Sequence, residues 1–305
     1  MNTQMRIARA CFLVAAVGSA APALATEGGG NQYPIGVNTV LPAVMPPPGH
    51  GVWEEYNLFY TASQLNGSSN KSAVPGFNVN VYVTAPRFLY TWDKTFGPFS
   101  VTSGFVQPII YGNVSVAGLH DGRGGFADFT LQPLYLNYVS PDKTFMANLG
   151  IDLFFPTGTY NRGHLFNPGF HTYAFDPNLT VTWFPDKRTE VSASLYSEIH
   201  STNDVTRYHS GAFINLDYGV DYKVAPERFP TLFLGLGGYL FNQVTNDTIG
   251  GVPFQNGYRG HAFALGPQVV YGIGHAGFAL KWQHEFWVEN RPQGERIWFQ
   301  FAIPL

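Results

Sequence analysis

The chain is short of several things, and each shortage removes a class of protein. It has a single cysteine, Cys11, which lies in the apolar stretch near the start, so no disulfide framework can hold the remainder together. Charged residues make up only 12%, about half the share usual in a soluble domain. Beyond the first residues no apolar run approaches the roughly 18 needed for a membrane-spanning helix. No cluster of lysine or arginine suggests nucleic acid as a partner. The nine histidines show no paired ligand spacing for zinc, and Asn242 to Asp247 lacks the calcium-loop pattern, so no metal or other cofactor is expected.

The first 25 residues read as a targeting segment. Arg6 and Arg9 form a positive region, Ala10 to Val17 an apolar one, and Ala23-Leu24-Ala25 a small-x-small cleavage site. Cleavage after Ala25 is expected. It removes two of the 17 basic residues and none of the 20 acidic ones, which leaves a mature charge of −5.

What the chain does contain is aromatic residues (16%) and glycine (34 of 305), together with a clear alternation. Ala212, Ile214, Leu216, Tyr218, Val220, Tyr222 and Val224 are apolar or aromatic, and Asn215, Asp217, Gly219, Asp221 and Lys223 fall between them; Phe213 is the one break. Side chains on a strand alternate faces, so one face is apolar and the other polar. The stretch is longer than the usual soluble strand of about 5–6 residues. It suits a tilted membrane-crossing strand of about 9–11 residues, with lipid on one side and a lumen on the other.

The same alternation recurs. Leu149, Ile151 and Leu153 oppose Asn148 and Asp152; Val191, Ala193 and Leu195 oppose Glu190, Ser192 and Ser194; Ile297, Phe299 and Phe301 oppose Arg296 and Gln300. From Trp53 onward twelve strands are expected, near 53–62, 77–92, 99–114, 126–139, 145–155, 172–184, 189–200, 209–224, 231–244, 260–272, 276–288 and 295–304. Strand 99–114 alternates poorly, and the apolar face of 126–139 switches near Pro133, as a β-bulge would make it do. Connections alternate between short turns, at Asp93-Lys94, Pro141 to Lys143, Pro185 to Arg188, Ala225 to Pro230 and Gly274-His275, and longer loops such as 115–125, 156–171 and 245–259. Short turns on the periplasmic side and long loops outside describe an outer-membrane barrel. The fold class is therefore all-β: a transmembrane antiparallel β-barrel of about twelve strands spanning 52–305. Residues 26–51, rich in glycine and proline, make up either a flexible periplasmic leader or a plug in the lumen.

The start Thr26-Glu27-Gly28-Gly29-Gly30, with Tyr33-Pro34, Leu41-Pro42 and Pro46-Pro47-Pro48-Gly49, resembles that of the SphA-like family, outer-membrane proteins grouped under the meta-pathway of phenol degradation. Phe155 to Tyr160 with Asn167-Pro168-Gly169, and Tyr208 to Gly211, are further points of similarity. The resemblance implies an outer-membrane protein that passes hydrophobic or aromatic compounds. It supplies no functional residues.

Catalytic chemistry finds little support. His209 and Ser210 are adjacent, so on a strand their side chains point to opposite faces and cannot form a base–nucleophile pair. The candidate lumen lining comprises Asp152, Asp176, Asn178, Glu190, Glu198, Asp217, Asp221, Lys223, Lys281, Glu285 and Arg296. Tyr160, Leu165, Phe166 and Phe170 are candidates for an apolar capture cup in an external loop. The expectation is a passive, non-enzymatic channel for small hydrophobic or aromatic solutes, surrounded by outer-membrane lipid and lipopolysaccharide. The alternatives are a structural or surface-interaction barrel and a lipid-modifying hydrolase.

Overall fold

The structure is a computed structural model and describes residues 30–305; the expected signal sequence, its cleavage site and Cys11 lie outside the described residues. Seventeen strands follow in order: β1 (Gly51–Leu65), β2 (Asn78–Phe96), β3 (Phe99–Val106), β4 (Ile109–Val116), β5 (Leu119–Phe126), β6 (Phe129–Val139), β7 (Phe145–Phe155), β8 (Ala174–Trp183), β9 (Thr189–His200), β10 (Tyr208–His209), β11 (Phe213–Lys223), β12 (Phe233–Gln243), β13 (Thr248–Ile249), β14 (Val252–Pro253), β15 (His261–Ile273), β16 (Ala276–Glu289) and β17 (Pro292–Pro304). Twelve of them form the wall, running β1, β17, β16, β15, β12, β11, β9, β8, β7, β6, β3 and β2, and the pairing of β1 with β2 closes the ring. All the pairings are antiparallel, so the ladder hydrogen bonds run between neighbouring strands all the way round the closed ring.

The alternation of the sequence turns this barrel inside out relative to a soluble protein. Leu149, Val220, Leu236 and Leu280 face outward and are 59%, 51%, 54% and 55% exposed, while Asn148, Asp217, Gly219 and Lys281 face inward and are buried. An apolar outer face of this kind needs lipid around it. Phe213, the break in the alternation, turns inward and packs against Phe241.

Four expectations are corrected. Residues 99–114 do not form one strand, because the chain breaks at Gln107-Pro108 between β3 and β4. Pro86 of β2 stands beside this break, so two prolines, neither with an N–H to donate, meet in neighbouring strands. β3 consequently pairs with the lower half of β2 (Arg87 onward), and β4 with its upper half, Asn78 to Thr84. The expected loop 115–125 is instead a two-residue hairpin at Ala117-Gly118, both with positive φ (52° and 82°), which twists β4 into β5. The turn expected at Asp93-Lys94 is a bulge inside β2, and the chain reverses at Gly97-Pro98. Finally, strands expected from 209 and 231 begin at Phe213 and Phe233, and the loops around them carry a small sheet of β10, β13 and β14. The face switch in 126–139 coincides with a register shift between Leu131 and Leu134 against β7.

Candidate functional site: a divided lumen

Residues 30–50 run through the lumen without forming a strand and join the wall where the Gly49 amide donates to the Thr91 carbonyl (2.9 Å). An irregular segment carries backbone donors and acceptors that must find partners when buried. Inward side chains provide them. Glu198 accepts from the amides of Gln32 (3.0 Å) and Tyr33 (2.6 Å). Asp217 accepts from the Tyr33 hydroxyl (2.7 Å) and from the amides of Gly36 (2.8 Å) and Asn38 (2.9 Å). The Lys281 ammonium donates to the carbonyls of Val37 (2.6 Å) and Gly36 (3.2 Å). Asp221 accepts from Gln268, which in turn accepts from the Thr39 hydroxyl. Glu190 accepts from the Leu41 amide (3.4 Å).

The wall makes room for this segment. A β-carbon on Gly219 would lie 2.0 Å from the Thr39 carbonyl oxygen, so only glycine allows the approach. Tyr33 stacks on Tyr196 with ring centroids 3.8 Å apart, and Ile35 and Val37 join a buried cluster with Tyr239, Phe241 and Trp298.

Other expected lining residues serve the wall itself. Glu285 and Arg296 form an ion pair (3.1 Å) in contact with Tyr239. Asp152 accepts from Tyr135 and Gln132, and Asp176 from the Ser197 amide; buried Asn178 donates weakly to the Asp176 carbonyl (3.4 Å). Lys223 stands apart from the lumen network: it is half-buried at the end of β11, with its ammonium 5.0 Å from the Phe233 ring centroid.

Beside the N-terminal segment lies a cavity of about 310 Å³. One wall is apolar, formed by Leu58 of β1 with Val79, Val81, Val83 and Ala85 of β2 and Ile110 of β4. Gln32, Tyr33 and Val37 face them from the lumen segment. Arg87, Arg291 and Arg296 line it as well.

Phe166 and Phe170 of the 156–171 loop also line the cavity, with the Phe166 ring seated over Gly112, where a β-carbon would be 2.2 Å away. The other two expected cup residues are elsewhere. Leu165 packs behind the cavity wall, in a cluster with Ala62, Phe77, Val79 and Val114. Tyr160 stacks on His171 (4.9 Å) and its hydroxyl accepts from Asn203. Of the four expected residues, Phe166 and Phe170 line the cavity, and Tyr160 and Leu165 do not.

Two aspartates hold this loop, and sequence reading missed both because they lie in a stretch that looked like a loop and a strand start. Asp121 accepts from the amides of Leu165 (2.7 Å) and Phe166 (3.1 Å) and contacts His164. Burial works to raise the Asp121 pKa, but these bonds outweigh it and hold the carboxyl below its ordinary range. Asp128 accepts from Gly158, Phe170 and the Gln32 side chain, each at 2.9 Å, and so ties the loop to the lumen segment.

For chemistry, the nearest base–nucleophile contact is Ser115 with His120 (2.7 Å), on the outer face of the β4–β5 hairpin. Among the described residues no carboxylate bonds the second nitrogen of His120.

A family model described as MetA-pathway of phenol degradation matches residues 62–301. No curated protein matches the chain. Among solved structures, an outer-membrane channel from Pseudomonas putida F1 superposes with a TM-score of 0.76 at 18% identity, covering 86% of this chain and 98% of that one. The β-domain of the Bordetella autotransporter BrkA reaches 0.49 at 12% identity, covering 83% and 98%. A deltaS2S3 mutant of the monoaromatic hydrocarbon channel TodX reaches 0.44 at 8% identity, covering 84% and 90%. At these identities the likeness to the first speaks for the fold alone, and the other two add no weight.

Proposed function

The chain belongs to the phenol-degradation family whose model spans residues 62–301, and from that premise we propose a passive outer-membrane channel for small hydrophobic and aromatic compounds. The observation that carries this reading is the apolar wall of the cavity. Val79, Val81, Val83, Ala85 and Ile110 turn inward together and line the cavity, whereas inward aromatics such as Tyr239 and Phe241 pack in a cluster with the lumen segment. An inward apolar strip stabilises nothing in a water-filled pore, whereas it gives a single-ring solute about the burial that small-molecule sites provide.

In this reading the chain is exported by a cleaved signal, residues 1–25, and the outer belt lies against lipid and lipopolysaccharide. Phe166 and Phe170 receive the solute, the cavity holds it, and segment 26–51 acts as the plug that controls passage. A structural barrel without flux is the second reading, favoured by the density of bonds from Glu198, Asp217 and Lys281 to the lumen segment. Uptake of a labelled panel, from phenols and alkylbenzenes to long-chain lipids, separates the two in cells with and without the protein. Faster entry of one hydrophobic class supports the channel; equal uptake across the panel leaves the structural barrel.

A further inference from the structure

Three arginines line the cavity, and their surroundings differ. Arg87 lies 3.0 Å from Glu54, and Arg296 lies 3.1 Å from Glu285. Each of these guanidiniums is neutralised by a carboxylate in the wall. Arg291, between β16 and β17, is not. It is 6% exposed, its guanidinium carbon sits 4.1 Å from the Phe241 ring centroid, and Nη2 donates to the Asn31 side-chain oxygen at 2.7 Å. Among the described residues no carboxylate approaches it within ion-pair distance. A guanidinium carries five N–H donors and a charge it does not lose, so burial with one neutral acceptor leaves most of its bonding unmet. Such groups are usually paired, because an uncompensated buried charge is strongly destabilising. The missing partner faces the cavity.

We propose that Arg291, with Asn31 fixing its orientation, is the recognition point for a carboxylate, so that the preferred solute is a small organic acid whose apolar body lies against Val81, Val83, Ile110 and Phe166. This rests on the channel reading above and narrows it from hydrophobic compounds in general to amphiphilic ones. The planar fork of a guanidinium matches the two oxygens of a carboxylate, which is why a carboxylate suits it better than a lone hydroxyl. A cavity of about 310 Å³ is at the small end of ligand sites and suits one ring rather than a long acyl chain.

The test is calorimetric titration of the detergent-solubilised full chain with benzoate and with benzyl alcohol at neutral pH. The wild type is expected to bind benzoate at least about tenfold more tightly, the size of one charge-assisted pair. Arg291→Gln should bring that ratio to about one, and Arg291→Lys should leave an intermediate ratio, since it keeps the charge without the fork. Unchanged heat-modifiable gel migration verifies that each variant forms its barrel. Equal affinities in the wild type, or a ratio that survives Arg291→Gln, overturn the proposal. Binding and uptake fail separately: benzoate binding without uptake removes the channel, and uptake without the preference removes only the role of Arg291.

Discussion

The two sides of the barrel wall are built differently, and the contents of the lumen follow that difference. From β7 through β8, β9, β11 and β12 to β15, the strands pair without a register shift. Their inward carboxylates and amides hold the lumen segment, through Glu198, Asp217 and Gln268, alongside buried aromatics such as Tyr239 and Phe241. From β2 through β3 and β6 to β7 each pairing is shifted, and the wall breaks at Gln107-Pro108. Here the strip of β2 from Val79 to Ala85 is apolar and faces the cavity. Buried backbone needs hydrogen-bonding partners, so an irregular segment settles where carboxylates and amides line the wall. The side chains from Val79 to Ala85 that face the cavity offer the segment no hydrogen-bonding group, and space remains there. The regular side holds the segment and the irregular side holds the cavity.

This contrast can be broken most strongly at Asp217. Asp217→Ala removes the acceptor for the Tyr33 hydroxyl and for two buried amides at once. Leaving those donors unsatisfied costs about 3 kcal/mol or more. The expected outcome is release of the lumen segment, seen as new protease cleavage within residues 30–50 and a larger single-channel conductance. Gly219→Leu should give the same result by overlap with Thr39. If both variants conduct like the wild type, the segment is not what limits passage.

A change on the cavity side should leave conductance alone and alter selectivity. Val83→Asn puts an amide into the apolar strip, and an unpaired buried amide costs about 1–3 kcal/mol. Uptake of an alkylbenzene is expected to fall about tenfold, while the lumen segment stays protected from protease. Unchanged uptake would show that solutes do not touch this strip.

The smallest effect is expected at the loop. The Asp121 carboxyl is held below its usual range by the amides of the 156–171 loop. A depressed carboxylate contributes its stabilisation above the unfolded-state pKa and loses it as pH falls through the folded-state value. Protection of the Leu165 and Phe166 amides in hydrogen exchange should therefore persist from neutral pH down through the ordinary aspartate range and fail only below it. Asp121→Asn should weaken that protection at neutral pH and remove the acid step. A variant with wild-type protection would place the anchoring of the loop elsewhere, at Asp128.

Much of this was legible in the order of the residues. Alternation in 145–155 and 189–200 located β7 and β9 to the residue, because a strand with lipid on one side and a polar lumen on the other leaves a period of two in the sequence. The break at Pro108 was visible only as poor alternation in 99–114, since its cause is the meeting of Pro108 with Pro86 across a strand pair. The β4–β5 hairpin escaped because Gly122, Gly124 and Gly125 read as loop, and its strands form by pairing on the upper half of β2.

The sequence by itself determined the barrel class and the number of wall strands and, on regular strands such as β7 and β9, which side chains face inward, all consequences of local periodicity; the inward valines of β2 run against that rule. Only the tertiary structure decided which of those inward groups meet the lumen segment, which line the cavity and which arginine stands without a carboxylate. Those are distances between residues such as Asp217 and Gly36, or Arg291 and Asn31, that lie far apart in the chain. They are set by how the ring closes, and no local pattern records them.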